Sequence, residues 1–267
     1  MPLISVVSYA YNVSKSFSFD KSMRSILDQS ISDFEFIICE DGSSDTTWGL
    51  LCEYANKDPR IVLIRNDEHL GLAASLNKCL NSANGKYIAR HDLIDTSHRV
   101  RLEMQYNCLE ANGDISFLGT QAYLYDKNGG WGREIVPAWP EKEDFLFCSP
   151  YIHGSVMFRR DDILEIGGYR VAKDTQGAEG YDLFMAMSTR FAGANMAECL
   201  YYYYQDKQTQ EGRVVCRPRD EMHVRSRGFK ALGIKKSFFH SLKPLFGSTK
   251  PMKLHKAKVK KKRREIL

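Results

Sequence analysis

The first ninety residues alternate short β-branched runs with amphipathic stretches of helical period, and this alternation restricts the chain's fold more than any other feature. ISVVSYA (4–10), FEFIICED (34–41), RIVLIRN (60–66) and KYIAR (86–90) have the length and Val/Ile content of buried strands. Between them, FDKSMRSILDQ (19–29) puts Met23, Ile26 and Leu27 on one helical face. Thr46 to Asn56 makes a second helix, and GLAASLNKCLNSA (71–83) spaces Leu72, Leu76, Cys79 and Leu80 at helical intervals. Strands linked by crossover helices run parallel, with helices covering both sheet faces. The predicted fold class is therefore α/β, a Rossmann-like, mostly parallel sheet flanked by helices. Ligands of such sheets bind beyond the carboxyl ends of the strands. Tyr11 and Asn12 follow the first strand, Asp41 ends the second, Arg65 and Asn66 end the third, and Asp92 follows the fourth. Each alone is ordinary loop polarity; together they mark one edge of the sheet as the site.

Beyond Asp92 the pattern changes. A helix is predicted around Arg101 to Ala111, a strand over ISFLGTQAYLYD (115–126) and a tight turn at KNGG (127–130). A further strand is expected over PYIHGSVMFRR (150–160), followed by the helix DDILEIGG, closed by its glycines. YDLFMAMSTRFAG (181–193) reads as a helix and NMAECLYYYYQD (195–206) as a last strand, and no internal repeat is evident. The opening MPLISVVSYAYN lacks a basic leader, and its apolar run is too short for a signal peptide or membrane span. Seven cysteines, odd in number, widely spaced and without a CxxC pair, read as free thiols, so a reducing cytoplasm is expected.

The net charge of +5 conceals an asymmetry: residues 213–267 hold 18 Lys/Arg against 3 Asp/Glu, leaving the body acidic. RSRGFKALGIKKSFFHSLKPLFG (225–247) interleaves Phe229, Leu232, Ile234, Phe238, Phe239, Leu242, Leu245 and Phe246 with basic residues, the make-up of an interfacial amphipathic helix. KAKVKKKRR (256–264) adds a positive run. The expectation is a tail that meets an anionic membrane surface, placing the protein peripherally on the inner face of the membrane. The alternative is a helical cap on the domain followed by a solvated tail. Nucleic acid is not expected as a partner, because the acidic body offers no complementary groove.

The segments SVVSYAYN, SILDQSISDFEFIICEDGSSD, IRNDEHLGLAASLNKCL, GKYIARHDLIDTSHRVRLEMQ, HGSVMFRRDDILEIGGYR and AEGYDLF follow one another from Pro2 to about Gln205. In that order and spacing the chain resembles the family-2 glycosyltransferases of bacterial polysaccharide and lipopolysaccharide assembly. The resemblance implies a GT-A fold, a nucleotide-sugar donor that is UDP-linked, a saccharide or lipid-linked saccharide acceptor, and inversion at the transferred sugar. It divides the chain into residues 1–212, with a nucleotide-binding half (1–95) and an acceptor-binding half (96–212), and a basic extension over 213–267. It implies that Tyr11 lies against the uracil and that Asp41 accepts a hydrogen bond from the base's imide N–H. For Asp41 the alternative is a turn or cap role within DGSSD. Arg65, Arg90 and Asp92 match further positions around the nucleotide-sugar, and Asn77 matches as well; for Arg65, Asn77 and Arg90 the alternative is structural support of the nucleotide loop.

Two positions depart from the family pattern. Its D-A-D-D block, whose carboxylates hold Mn2+ or Mg2+ on the donor's diphosphate, reads Asp92-Leu93-Ile94-Asp95 here, leaving Asp92 and Asp95 as candidate metal ligands. Its A-E-D-Y-D-L block, which supplies the catalytic base, reads Ala178-Glu179-Gly180-Tyr181-Asp182-Leu183. Gly180 can move no proton; Glu179 is the nearest substitute, and Asp182 sits where a charge favours a helix start. His153 matches a histidine before the acceptor site and is followed by Gly154 where the family commonly has proline. It is expected to meet phosphate or acceptor, unless it is a satisfied core or loop residue. Trp131 and Trp139 are candidate sugar-stacking residues or core filling. Two functions follow: an active transferase, or a catalytically impaired member that binds nucleotide-sugar or acts as a scaffolding subunit.

Overall fold

The structure is a computed structural model that describes residues 1–205, 216–235 and 238–246. The first half follows the predicted alternation: β1 (Ile4–Ala10), α1 (Phe19–Leu27), β2 (Phe34–Asp41), α2 (Thr47–Ala55), β3 (Ile61–Asn66), α3 (Leu72–Ser82) and β4 (Tyr87–Arg90). The second half contains β5 (Thr96–Ser97), α4 (Arg101–Ala111), β6 (Ile115–Asp126), β7 (Gly129–Glu134), β8 (Met157–Arg159), α5 (Arg160–Glu165), α6 (Glu179–Met187) and β9 (Ala192–Tyr204). Helices α7 (Pro218–Ala231) and α8 (Phe238–Ser241) follow.

The strands form one sheet in the order β3-β2-β1-β4-β8-β6-β9-β5, with β7 paired to β6. β1, β2, β3 and β4 are mutually parallel; β8 is antiparallel to both β4 and β6, so β6 and its parallel partner β9 run with β1. The sheet is therefore mostly parallel, and the carboxyl ends of β1 to β4 share one edge. Strand periodicity sorts the core onto its two faces. Val6, Phe36 and Ile38 pack with Met23, Ile26, Leu51, Leu102 and Leu109 on the face covered by α1, α2 and α4. Val7, Ile37 and Cys39 pack with Leu76, Cys79, Leu80, Ile163 and Phe184 on the face covered by α3, α5 and α6.

Several second-half predictions change in the structure. The strand expected over 150–160 shrinks to Met157–Arg159, preceded by a 3-10 turn over His153–Ser155. Ser155 explains the break, because its N–H and hydroxyl both donate to the Ile152 carbonyl at 2.9 Å, a local turn that competes with ladder pairing. The turn at 127–130 is the head of a β6–β7 hairpin, held by the Asp126 carboxylate, which accepts the Asn128 N–H at 2.7 Å. The helix predicted over 181–193 begins at Glu179 and ends at Met187, and its last residues join β9.

The predicted interfacial helix over 225–247 also differs. α7 starts at Pro218, its fixed φ suiting the first helical position, and lies against α6 instead of projecting its apolar residues outward. Cys216, Val224, Phe229 and Ile234 are buried in the same cluster as Phe184, and Leu232 is partly buried against it. Arg225, 2% exposed, donates to the carbonyls of Leu146 and Phe147 at 3.2 Å, pairs with Glu221 at 2.7 Å and lies over the Tyr181 ring. This stretch is a cap on the domain: α6 offers an apolar face that α7 covers. The side chains of Phe238, Phe239, Leu245 and Phe246 and the run 256–264 lie outside the described residues. Among the described residues no helix is long and apolar enough to cross a membrane.

Candidate functional site

Parallel register brings the polar strand ends together. Ala10 is opposite Glu40, Glu40 opposite Arg65, and Asp41 opposite Asn66, so Tyr11, Asp41 and Asn66 emerge side by side. The loop after β1 is fixed to the loop after β2. The Asn12 N–H donates to Ser43 Oγ at 2.9 Å, and Asn12 Oδ1 accepts the Ser44 N–H at 3.0 Å. The Asp45 carboxylate receives the Ser14 hydroxyl at 2.6 Å and the Thr47 N–H at 3.0 Å. Burial works against its charge, but these hydrogen bonds prevail and hold its pKa down to about 2. Tyr11 is left on this rigid turn with its ring 36% exposed.

Asp41 is fully buried. Burial pushes its pKa upward, yet donors from Asn66, Leu70 and Gly71 and the neighbouring His69 bring it below its ordinary value. The distances are 2.6 Å to Asn66 Nδ2, 2.8 Å to Leu70 N, 2.9 Å to Gly71 N and 2.9 Å to His69 Nδ1. The DGSSD aspartate is thus the anchor of the loop entering α3 as well as the wall of the site. Arg65 pairs with buried Glu40 at 3.3 Å and lies over the Trp48 ring of α2, on the sheet face opposite Asp41. Asn77, also matched by sequence, sits on α3 and bonds the backbone of Tyr169 instead of facing the site.

At the end of β4, Arg90 is fully buried and bonds the His91 carbonyl and the Asp92 carboxylate. Burial opposes its charge and the adjacent Asp92 favours it, with the net shift upward. Arg90 therefore holds Asp92 in position from behind. Asp92, 20% exposed at its side chain, also has its N–H bonded to Tyr201 Oη at 3.2 Å. Asp95 points elsewhere: it is fully buried, with Oδ1 accepting the Tyr204 N–H at 2.8 Å. The structure does not bring the two expected metal carboxylates to one open face. Among the described residues no group of three or more His, Cys, Asp or Glu side chains could hold a metal ion. The two carboxylates therefore do not form one shared metal site; Asp92 alone would hold Mn2+ or Mg2+, with a donor's diphosphate oxygens completing the coordination.

The three candidate catalytic residues separate. Glu179 begins α6 and faces the Asp92 end of the site; burial raises its pKa, backbone N–H groups of Gly177 and Glu179 partly offset this, and the charge of Asp92 adds to it. Asp182 faces away, pairing with Arg170 at 3.1 Å and with Arg227 of α7, so it fastens α7 to α6. His153 stands between: its Nε2 shares a hydrogen bond with Tyr169 Oη at 2.7 Å, and its ring lies against Gly180. A Cβ on Gly180 would fall 2.7 Å from His153 Cγ, and one on Gly154 would fall 2.1 Å from Tyr201 Oη. Gly180 and Gly154 thus each make room for an aromatic ring. Trp131 on β7 donates to the Gln205 carbonyl at 3.1 Å. Trp139 lines a cavity with Asn112, Asp114 and Gly193 at the opposite edge of the sheet.

Sequence reasoning missed Tyr9, His69, Tyr169 and Tyr201. Tyr9 lies between Asp41 and Glu179; burial and the Asp41 charge push its phenol pKa upward. Tyr9, His69 and Tyr169 lie inside the quoted motifs SVVSYAYN, IRNDEHLGLAASLNKCL and HGSVMFRRDDILEIGGYR, but residue type there did not single them out.

Comparison with known proteins agrees with this geometry. The model of the family described as Glycosyl transferase family 2 matches residues 5–166. The chain is 36% identical over 214 residues to the putative glycosyltransferase EpsE of Bacillus subtilis, covering 79% of this chain and 76% of that protein. It is 32% identical over 218 residues to the O-antigen biosynthesis glycosyltransferase WbnJ of Escherichia coli, covering 79% and 83%. The crystal structure of S. aureus TarS 1–349 in complex with UDP-GlcNAc superposes with a TM-score of 0.71 at 15% identity, covering 91% of this chain and 70% of that one. With its mostly parallel α/β sheet and this match over residues 5–166, the chain belongs to glycosyl transferase family 2 and has the GT-A fold.

Proposed function

We propose that this transferase moves a hexosyl group from a UDP-sugar to a saccharide or lipid-linked saccharide acceptor, with inversion, in polysaccharide synthesis. The observation that carries the proposal is the pairing of Tyr11 and Asp41 at the ends of β1 and β2, both within reach of one ring-sized ligand, as the contacts of His69 with each show. A flat exposed ring next to a rigid buried carboxylate suits a base with an N–H, and uracil has one. EpsE, WbnJ and the UDP-GlcNAc complex of TarS support the same class of reaction.

In the proposed reaction Glu179 takes the proton of the acceptor hydroxyl as that oxygen attacks the anomeric carbon. The bond to the donor's diphosphate breaks on the opposite face, UDP leaves with the electron pair, and the configuration inverts. Asp92, held by Arg90, orients the donor sugar; His153, braced by Tyr169 and Gly180, lines the acceptor side. The proposal routes no step through a metal, because Asp95 is turned into the protein.

A second reading has a specific observation in its favour: Ile94 and Gly180 remove two carboxylates that the family pattern supplies, as a nucleotide-sugar-binding or scaffolding subunit would tolerate. UDP release from a panel of UDP-sugars with a saccharide acceptor, with and without Mn2+, separates the two. The transferase reading expects release that depends on acceptor and falls when Tyr11→Ala weakens donor binding. UDP binding without any turnover would leave the binding-subunit reading in its place. Attachment to an anionic membrane is proposed on the charge of residues 213–267 alone.

A further inference from the structure

Both residues expected to receive the donor's base are already engaged by one side chain of the protein itself. The His69 ring stacks on Tyr11 with centroids 4.0 Å apart and planes inclined at 30°. Its Nδ1–H donates to Asp41 Oδ2 at 2.9 Å. The remaining acceptor positions of that carboxylate are taken by Asn66 and Leu70 on Oδ1 and by Gly71 on Oδ2. The Tyr9 hydroxyl also bonds this carboxylate, which offers about four lone-pair sites, so a further N–H can bond Asp41 only if one of these four N–H donors leaves.

Three of the four are fixed. Asn66 is buried and also bonds Ser75 at 3.0 Å and Lys78 at 2.6 Å. Leu70 and Gly71 donate from the backbone, and the preceding residues are seated on Gly42. That glycine has φ +67°, and a Cβ there would fall 2.7 Å from the Glu68 carbonyl carbon. The loop backbone therefore has little room to shift. The His69 side chain is 47% exposed and can leave by a change of rotamer alone.

We propose that His69 is a gate that mimics the nucleobase: its imidazole fills the base slot in the empty protein and swings out when the donor's base enters. An aromatic ring stacked on Tyr11 with an N–H aimed at Asp41 is what a uracil presents, and the two occupants exclude each other. The gate rests on the base-site reading of Tyr11 and Asp41 given above. It adds a consequence of its own. The apparent affinity for donor is the intrinsic affinity multiplied by the fraction of molecules whose gate is open, so removing the ring strengthens binding.

The test is calorimetric titration of the full chain with UDP, comparing wild type, His69→Ala and Tyr11→Ala, with melting curves of each. His69→Ala is expected to bind UDP roughly three- to ten-fold more tightly, the factor by which a closed state about two to nine times as populated as the open one suppresses binding. The free His69→Ala protein should melt earlier than wild type, since a donor to a buried carboxylate is gone. The UDP-saturated proteins should converge, since His69 is outside the slot in both. Equal or weaker UDP binding by His69→Ala, alongside loss of binding in Tyr11→Ala, overturns the gate while leaving the base site standing. UDP binding that is absent in wild type and His69→Ala, or unaffected by Tyr11→Ala, overturns the base site and the gate with it.

Discussion

At the scale of single residues the proposed chemistry turns on Glu179, whose pKa is raised by burial, with Asp92 adding to the shift. The folded protein keeps the Glu179 proton to higher pH than an exposed glutamate would, so the base form appears later as pH rises. kcat/KM should therefore climb through a pH above the ordinary carboxylate range, and Glu179→Gln should lower kcat by about 10²- to 10⁴-fold and abolish that limb. The same shift has a sign for stability: a raised folded pKa favours the folded state below the unfolded pKa, and this contribution is lost as pH rises through the folded value. Glu179→Gln is therefore expected to melt at or above the wild-type temperature at neutral pH; a marked drop in both stability and kcat would indicate a structural role instead. The placement of Tyr11 and Asp41 on one sheet edge was legible because both follow predicted parallel strands, whose ends such a sheet brings together. His69 was not legible, because nothing in a polar loop tells which rotamer a histidine takes or whose carboxylate it meets.

Among the elements, α6 shows how a local sequence departure becomes a packing decision. Gly180 weakens the helix by about 1 kcal/mol relative to alanine, yet His153 occupies the space any side chain there would need. Gly180→Asp is expected to lower stability in urea unfolding by about 1–3 kcal/mol, outweighing what an acidic residue contributes near a helix start. His153→Ala in that background should recover much of the loss, a coupling that a double-mutant cycle measures. Additive effects of the two substitutions would show that the ring and the backbone at Gly180 do not compete. Element type was readable wherever period and length agreed, as in β1 to β4. It failed at 150–160 and at 188–193, where a serine-backed turn and a close approach of Gly193 to Phe117 override apolar content. α7 was readable as amphipathic but not as a cap, since amphipathicity names a face without naming its partner.

For the whole molecule, Arg101 joins the two halves of the sheet. It is fully buried, donates to the Gly154 and Arg90 carbonyls at 3.0 Å each, and lies over the Tyr201 ring. Burial, eased by Tyr201 and reinforced by Arg90, lowers its pKa to about 10, so it stays charged at neutral pH. Arg101→Met leaves two buried carbonyls without their donor and should cost roughly 3 kcal/mol in chemical denaturation. Because Arg90 aligns Asp92, the same variant should lose turnover beyond its loss of folded protein; unchanged stability would show that the seam is held elsewhere.

The sequence by itself determined the α/β class, the parallel first half and the edge on which the ligand residues gather, because periodicity and strand ends are local properties of the chain. Only the tertiary structure decided that Asp95 turns inward, that Asp182 ties down α7, that Gly154 and Gly180 make room for Tyr201 and His153, and that His69 stacks on Tyr11 and bonds Asp41. Those outcomes depend on which side chains from distant segments compete for one volume or one carboxylate, and such competition has no local signature.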